Sequence, residues 1–310
     1  MILTITPNPA LDKSTIIQKL IPEKKIRCTN LQVEAGGGGI NVSKVIKELG
    51  GECTALFPSG GMNGKALEQL LIAQDIQFKA IPIKGETREN FAATDISTNA
   101  QYRFVFPGPD LSSEELNLCY RILESFKPEP DIIVFSGSLP PETPDEFVAK
   151  LASLTKNIGA KFIADTSGNT LKQAVNEGVY LLKPSLSELC FLVGKEYLEL
   201  SEVEDAAKSI IDKGSSEVIV VSMGASGALL LTKDIFKRIP APNVKKVSTV
   251  GAGDSMVAGM AIMLSQNKSL VEVAQFGVAC GSAATMNAGS QLCKKEDVWR
   301  LFEWIKAHTG

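Results

Sequence analysis

The chain has 310 residues, 44% hydrophobic and 22% charged, enough apolar material for one large core or two modest ones. A net charge of -3 leaves no broad basic field, which argues against nonspecific nucleic-acid binding and electrostatic membrane docking. The single histidine, His308, lies near the C-terminus, which removes Ser-His-Asp and Cys-His chemistry; six scattered cysteines without a C-x-x-C pair indicate reduced thiols rather than a zinc site or disulfide framework.

Apolar Ile2–Thr6 reads as a buried strand, interrupted by Pro7 and Pro9, so it is not a secretory signal. Asp12 follows at that strand's carboxyl end. There it either accepts hydrogen bonds from two neighbouring sugar hydroxyls or simply ends the loop. Ser14–Glu34 alternates like half-buried strands. Gly36–Gly39 and Asn41 then precede a helix carrying Val42, Val45, Ile46 and Leu49 at i, i+3, i+4 and i+7. Four glycines in a row lose much backbone entropy on folding, which favours a ligand touching bare backbone over a flexible linker, and Asn41 adds an amide for a sugar hydroxyl.

After a strand at Thr54–Phe57, Gly60–Ala66 superficially resembles a phosphate-binding P-loop, but its spacing is one residue short and Ala66 replaces the metal-binding hydroxyl. Leu67, Leu70 and Leu71 mark the helix behind it. In Phe78–Phe106, Tyr102, Phe104 and Phe106 alternate with Arg103 and Val105. Both alternating regions predict a small second sheet, inserted at about 13–35 and 78–107 as a lid or as a pairing surface for another subunit. Lys25, Arg88 and Arg103 come from these segments and suit a second, non-transferred phosphate; surface charge is the alternative for each.

Strands at Ile132–Phe135, Phe162–Ala164, Tyr180–Leu182 and Val218–Val221 continue the alternation with helices. Such alternation predicts an α/β fold with a mainly parallel sheet covered on both faces, and ligands beyond the carboxyl ends of its strands. Ser136–Pro141 offers donors at one such end. Ser185 and Glu188 form a helix-capping pattern that also puts Glu188 within reach of a metal-water cluster, and Ser222–Gly227 offers backbone donors to a nucleotide's phosphate chain. Gly277, Ala279 and Gly281–Ala284 keep a late helix thin for packing near the nucleotide.

Ser248–Ser255 is the most informative run. It sets one carboxylate, Asp254, behind a glycine-bracketed turn at the start of an apolar helix marked by Met256, Val257, Met260, Met263 and Leu264. Amides of Gly251, Ala252 and Gly253 then face an anion, and Asp254 is placed to accept a proton from an attacking hydroxyl, an arrangement suited to phosphoryl transfer. An ordinary Asp-capped helix is the alternative.

Together these segments resemble the ribokinase-like sugar kinases, the PfkB family, along essentially the whole chain. Gly251–Asp254 and Gly36–Gly39 match its two motifs, and Gln101–Phe104 and Ser136–Pro141 point to its phosphofructokinase branch. The resemblance implies a three-layer αβα fold with a small β-sheet lid, and an ATP-dependent kinase for fructose 6-phosphate, with tagatose 6-phosphate and fructose 1-phosphate as alternative substrates. A phosphosugar-binding protein without catalysis is a more distant reading.

By the same resemblance, Asp254 would be the base for the C1 hydroxyl and the amides of Gly251, Ala252 and Gly253 would stabilise the transferring phosphoryl group. Asp12, Gly37, Gly38 and Asn41 would hold the sugar; Lys25, Arg88, Arg103 and Ser138 would hold its 6-phosphate. Lys183, Ser185, Ser222, Gly224 and Gly227 would line the ATP channel, with Glu188 organising Mg2+ through water. A K+ site would involve Ser248, Val250, Ala284, Asn287, Gly289 and Gln291. The family usually carries Asn where Ser185 stands. A cytoplasmic homodimer joined through the lid sheets is expected, with no nucleic-acid or membrane partner.

Overall fold

The computed structural model describes residues 1–287 and 291–309. In chain order the strands are β1 (Ile2–Ile5), β2 (Ala10–Ile17), β3 (Thr29–Gly36), β4 (Cys53–Ser59), β5 (Phe78–Pro82), β6 (Arg88–Asp95), β7 (Ala100–Val105), β8 (Ile132–Ser136), β9 (Lys161–Asp165), β10 (Val179–Leu182), β11 (Ser216–Ser222), β12 (Ala228–Leu231) and β13 (Phe236–Ile239). The helices are α1 (Gly38–Glu48), α2 (Gly61–Ala73), α3 (Ser113–Glu124), α4 (Glu146–Asn157), α5 (Gly168–Glu177), α6 (Leu186–Val193), α7 (Val203–Asp212), α8 (Ala252–Ser265), α9 (Leu270–Ala284) and α10 (Lys295–His308).

The main sheet has the order β13-β12-β11-β10-β9-β8-β1-β4-β5, parallel from β5 to β11 and closed at the other edge by antiparallel β12 and β13. Its inner strands are apolar on both faces, so successive residues enter different cores. Ile132 and Val134 pack with α1, α8, α9 and α10, whereas Ile133 and Phe135 pack with helices of the opposite layer, including α3 and α4. A third, smaller cluster joins Ile40 of α1 and Phe57 of β4 to Leu67 and Leu71 of α2. This is the three-layer architecture expected from the alternation. Among the described residues, no helix is long and apolar enough to cross a membrane, and all six cysteines are free thiols.

The small sheet has the order β3-β2-β6-β7. Its register separates two faces. Asp12 pairs opposite Glu34 and Asn90, and Ala92 opposite Arg103, which gathers polar groups on one side. Val33 opposite Lys13, and Phe91 opposite Phe104, share the other side with Leu31 and Tyr102, and on it Leu31 is 64% and Phe104 50% exposed.

Two expectations are corrected here. Phe78–Pro82 does not join the small sheet: β5 pairs in parallel with β4 at the edge of the main sheet, where one face meets solvent and the apolar alternation is that of an edge strand. Asp12 is not in a loop after β1, because β2 begins at Ala10 and carries it into the small sheet.

The rejected P-loop also has a physical explanation. At the start of α2, the Asn63 N–H donates to the Glu86 carboxylate at 2.6 Å and the Gly60 N–H to Thr87 Oγ1 at 3.1 Å, so the chain's own side chains take donors that a phosphate would need. The small residues of α9 serve helix packing: a Cβ on Gly277 would stand 2.7 Å from Met260 Cγ, and on Gly281 3.2 Å from the Ala252 carbonyl oxygen. They let α9 press directly on α8, the helix that begins at the Asp254 turn.

Candidate active site

Parallel pairing aligns the carboxyl ends of β8, β9, β10 and β11, which deliver Ser136, Asp165, Lys183 and Ser222 to one edge. Opposite this edge begins α8. Its N-cap, Gly251, has φ +73°, a left-handed conformation that glycine adopts without a Cβ penalty, and a Cβ there would also meet Leu292 Cδ2 at 2.5 Å. The Gly251 and Gly253 N–H groups donate to nothing among the described residues. Ala252 departs from the expected triplet of open amides, since its N–H donates to the Thr249 carbonyl at 3.3 Å.

Asp254 sits in the first turn of α8, where one carboxylate oxygen accepts from Asn41 Nδ2 at 2.9 Å and the other from Ser136 Oγ at 3.5 Å. Burial pushes its pKa up, the Asp165 carboxylate pushes further, and Asn41, Lys183 and Ser136 pull part of the way back, leaving it at about 6. The Ser136 hydroxyl also lies 3.5 Å from Asp165 Oδ2. Asp165 in turn pairs with Lys183 at 3.1 Å, and Lys183 is only 6% exposed. Burial alone would lower the ammonium's pKa, but Asp165, Glu188 and Asp254 outweigh it and keep the group charged. Lys183 Nζ lies 3.5 Å from where a Gly253 Cβ would stand, so its charge is beside the open amides.

Asp165 was not singled out from the sequence, Ser136 only as part of a donor-bearing run at a strand end, and Asn41 engages the carboxylate of Asp254 directly. The glycine run, buried or half-buried throughout, has a packing cause. A Cβ on Gly36 would overlap the Asp12 carboxylate, and one on Gly38 would overlap Ser136 Oγ.

The polar face of the small sheet supplies a second group of residues. Asp12 accepts from Asn90 Nδ2 at 2.8 Å; burial raises its pKa, against the opposing pull of Asn90, Lys44, Arg88 and Arg103. Arg88 donates to the carbonyls of Phe106 at 3.1 Å and Asn8 at 2.9 Å, while its buried Nε has no partner. Arg103 is exposed and lines a cleft shared by Asp12, Asn90 and Val250, the last next to the α8 turn. Lys44, absent from the sequence expectations, donates to the Ala35 carbonyl at 2.6 Å and faces Asp12. Gly37 is half-buried, Ser138 is exposed beyond β8, and Lys25 is exposed in the β2–β3 connection, where it makes no hydrogen bond or ion pair among the described residues.

On the nucleotide side, Ser185 caps α6: its backbone N–H donates to Glu188 at 2.8 Å and its hydroxyl accepts from the Glu188 N–H at 3.3 Å. Ser185 bridges to Ser222, and Gly224 opens a single 3-10 turn, Gly224–Ser226. Gly227 is buried at φ +83°, where a Cβ would collide with the Ile239 carbonyl; it serves the β12–β13 approach. The Val247 and Ser248 N–H groups donate to the Thr285 carbonyl at 2.8 and 3.2 Å, which brings Ser248 and Val250 to the end of α9 beside Ala284 and Asn287. Gln291 is exposed beside Leu292, and Gly289 lies outside the described residues. No group of three or more His, Cys, Asp or Glu able to hold a metal occurs among the described residues.

The pattern of pfkB family carbohydrate kinases matches residues 7–297. The chain belongs to the PfkB family. Within that family it is 41% identical over 308 residues to the ATP-dependent 6-phosphofructokinase isozyme 2 of Escherichia coli (strain K12), covering 98% of both chains. Crystal structures of Escherichia coli phosphofructokinase-2 superpose closely: one in complex with potassium at a TM-score of 0.95 and 40% identity, and one in complex with fructose-6-phosphate at 0.93 and 38%, each covering 98% of this chain and 99% of the other. Membership in the PfkB kinases makes this a phosphotransferase acting on a sugar hydroxyl, and its architecture the ribokinase-like fold.

Proposed function

We propose that this chain is an ATP-dependent 6-phosphofructokinase that transfers the γ-phosphoryl group of ATP to the C1 hydroxyl of fructose 6-phosphate. The observation that carries the reading is the carboxylate of Asp254, with a pKa of about 6, next to the open amides of Gly251 and Gly253. Above that pKa the carboxylate is ionised and ready to accept the hydroxyl proton. Charge in a loose phosphoryl-transfer transition state spreads over equatorial oxygens, where the two amides and Lys183 stand ready to meet it. Asn41 and Ser136 fix the base in place.

The choice of a phosphorylated sugar rests on Arg88. Its buried, unpartnered Nε is a charged donor awaiting an anion, and Arg103 lies on the same face, so a second phosphate completes what the protein leaves open. Asp12, Gly37 and Gly38 would take the sugar, with Ser138 and Lys25 at the phosphate's margin. Lys183, Ser185, Ser222, Gly224 and Gly227 would line the nucleotide channel.

The donor set fits Mg2+ entering with ATP. Glu188 and Asp165 both face Lys183, Glu188 with one oxygen committed to the Ser185 N–H and Asp165 engaged by Lys183 and more loosely by Ser136, which suits hard-cation binding through water rather than a closed protein cage. When bound, Mg2+ neutralises phosphate charge. Carbonyls where Ser248, Val250, Ala284 and Asn287 meet suit a monovalent cation such as K+; the Asn287 amide nitrogen already donates to Ala283 and Leu292 carbonyls, leaving its oxygen as the side-chain donor to a cation. The exposed apolar face of the small sheet fits a homodimer formed by two such faces, and the sheet itself fits a lid that excludes water from the γ-phosphate. A cytoplasmic location accords with ATP as the co-substrate.

The test is a panel of fructose 6-phosphate, tagatose 6-phosphate and fructose 1-phosphate with coupled ADP detection. Fructose 6-phosphate should give the highest kcat/KM, with slow ATP hydrolysis when no sugar is present. A higher value for another phosphosugar reassigns the substrate. Equal ATP hydrolysis with and without sugar overturns the lid, and binding without turnover of any sugar overturns the kinase reading.

A further inference from the structure

We infer that Asn90 is a positioning residue that holds Asp12 in register with the phosphate-binding end of the sugar site. The inference rests on the reading of Asp12 as a sugar ligand and adds what fixes it there. Asn90 lies directly opposite Asp12 in the β2–β6 pairing, and its Nδ2 donates to Asp12 Oδ1 at 2.8 Å. Its Oδ1 accepts from the Phe106 N–H at 3.3 Å, so the amide has one orientation in which both partners are served. The Phe106 carbonyl is held in turn by Arg88 Nη1 at 3.1 Å. One peptide segment after β7 is thus clasped by both residues, and the carboxylate meant for the sugar ring is coupled to the guanidinium meant for its phosphate.

The other oxygen of Asp12 lies over Gly36, where only a residue without a Cβ fits. Asn90 therefore leaves that oxygen for sugar hydroxyls while occupying its twin. Charged groups facing Asp12 are Lys44 from α1, Arg88 from β6, Arg103 from β7 and, opposite it in register on β3, Glu34, which also faces Lys44. All three cations favour the ionised carboxylate, yet none of them makes the hydrogen bond that orients it; Asn90 does.

Asn90→Asp separates orientation from folding. The variant keeps an acceptor for Phe106 but sets a second carboxylate against Asp12 Oδ1. When both are ionised they repel, and when one proton is shared the donor is restored. Fructose 6-phosphate binding is measured calorimetrically without ATP at about pH 8 and about pH 6, each Kd divided by the wild-type value at the same pH. The ratio should be about 10-fold or more at the higher pH and fall to about 3-fold or less at the lower, as expected for a charge-assisted hydrogen bond lost and regained. A folding defect would not reverse on acidification.

Asp12→Ala distinguishes the two levels of the argument. If wild type does not bind the phosphosugar, or Asp12→Ala binds as tightly as wild type, the sugar-ligand reading falls and the inference with it. If Asp12→Ala weakens binding while Asn90→Asp matches wild type at both pH values, only the positioning role of Asn90 is overturned. An equally large loss at both pH values also overturns it.

Discussion

Replacing Asp165 with Asn probes how the protein sets the basicity of Asp254 without touching Asp254 itself. Both carboxylates lie 3.5 Å from the Ser136 hydroxyl, which bounds their nearest oxygens at about 7 Å apart. At an effective dielectric of about 20, two unit charges at about 7 Å repel by roughly 2.4 kcal/mol, equivalent to about 1.7 pH units. Screening by salt over that distance reduces this by at most about half. Lys183, deprived of its buried partner, is then left to Asp254 and acts in the same direction. The folded-state pKa of Asp254, raised to about 6 in the wild type, should therefore fall by about one pH unit in the variant. The catalytic carboxylate must be ionised, so wild-type activity is lost as pH drops through about 6 and the variant's acid limb lies lower. The assay is kcat/KM for fructose 6-phosphate from about pH 5 to about pH 8.5 at saturating Mg-ATP. The substrate phosphate, which titrates near 6, contributes equally to both curves, so their difference reports the enzyme. An acid limb that stays in place, or moves to higher pH, refutes the assignment of Asp165 as the neighbour that raises Asp254.

Three further outcomes are expected. Asp254→Asn should lower kcat by about 100-fold to 10,000-fold while the Kd for fructose 6-phosphate, read by calorimetry, stays close to wild type; near-normal turnover would remove Asp254 as the base. Gly36→Ala should displace Asp12, because the new Cβ overlaps its carboxylate, and raise the KM for the sugar by about 10-fold or more with the KM for ATP nearly unchanged; parallel changes in both KM values would contradict this. Phe104→Glu places a charge on the exposed apolar face of the small sheet and should shift the protein from dimer to monomer in sedimentation velocity, whereas an unchanged dimer would locate the interface elsewhere.

The inner strands of the main sheet, β1, β4 and β8 to β11, could be read from the sequence because both their faces are buried, so they appear as apolar runs such as Ile132–Phe135. The Asp254 turn was equally legible, since glycine, helix start and carboxylate are adjacent. Asp165 was not, and Ser136 was read as a strand-end donor without its link to Asp254. Their relation to Asp254 spans 118 residues for Ser136, and an Asp at the end of a buried strand has no local signature until parallel pairing brings that end to the others. Phe78–Pro82 was misplaced for a related reason: an edge strand of the main sheet, wetted on one face, has the same period-two pattern as a strand of the small sheet. The glycine run was read as bare backbone for a ligand. Its contacts with Asp12 and Ser136, which forbid a Cβ, depend on segments that sequence distance conceals.

The small sheet links chemistry to association through strand geometry alone. Side chains alternate with a period of two, so the register that gathers Asp12, Arg88, Asn90 and Arg103 on one face necessarily sends Leu31, Val33, Phe91 and Phe104 to the other. A slip of one residue would invert both faces together, moving the charges away from the site to the outer face and turning the aromatics toward the site. The apolar face alone sets no unique register, because it leaves Phe104 half exposed; the Asp12–Asn90–Phe106 hydrogen bonds on the polar face specify it. Covering the apolar face with a second copy would in turn hold the strands that carry the sugar ligands. The same alternation that gives a sugar-facing surface thereby makes its outer surface the natural place for two subunits to meet.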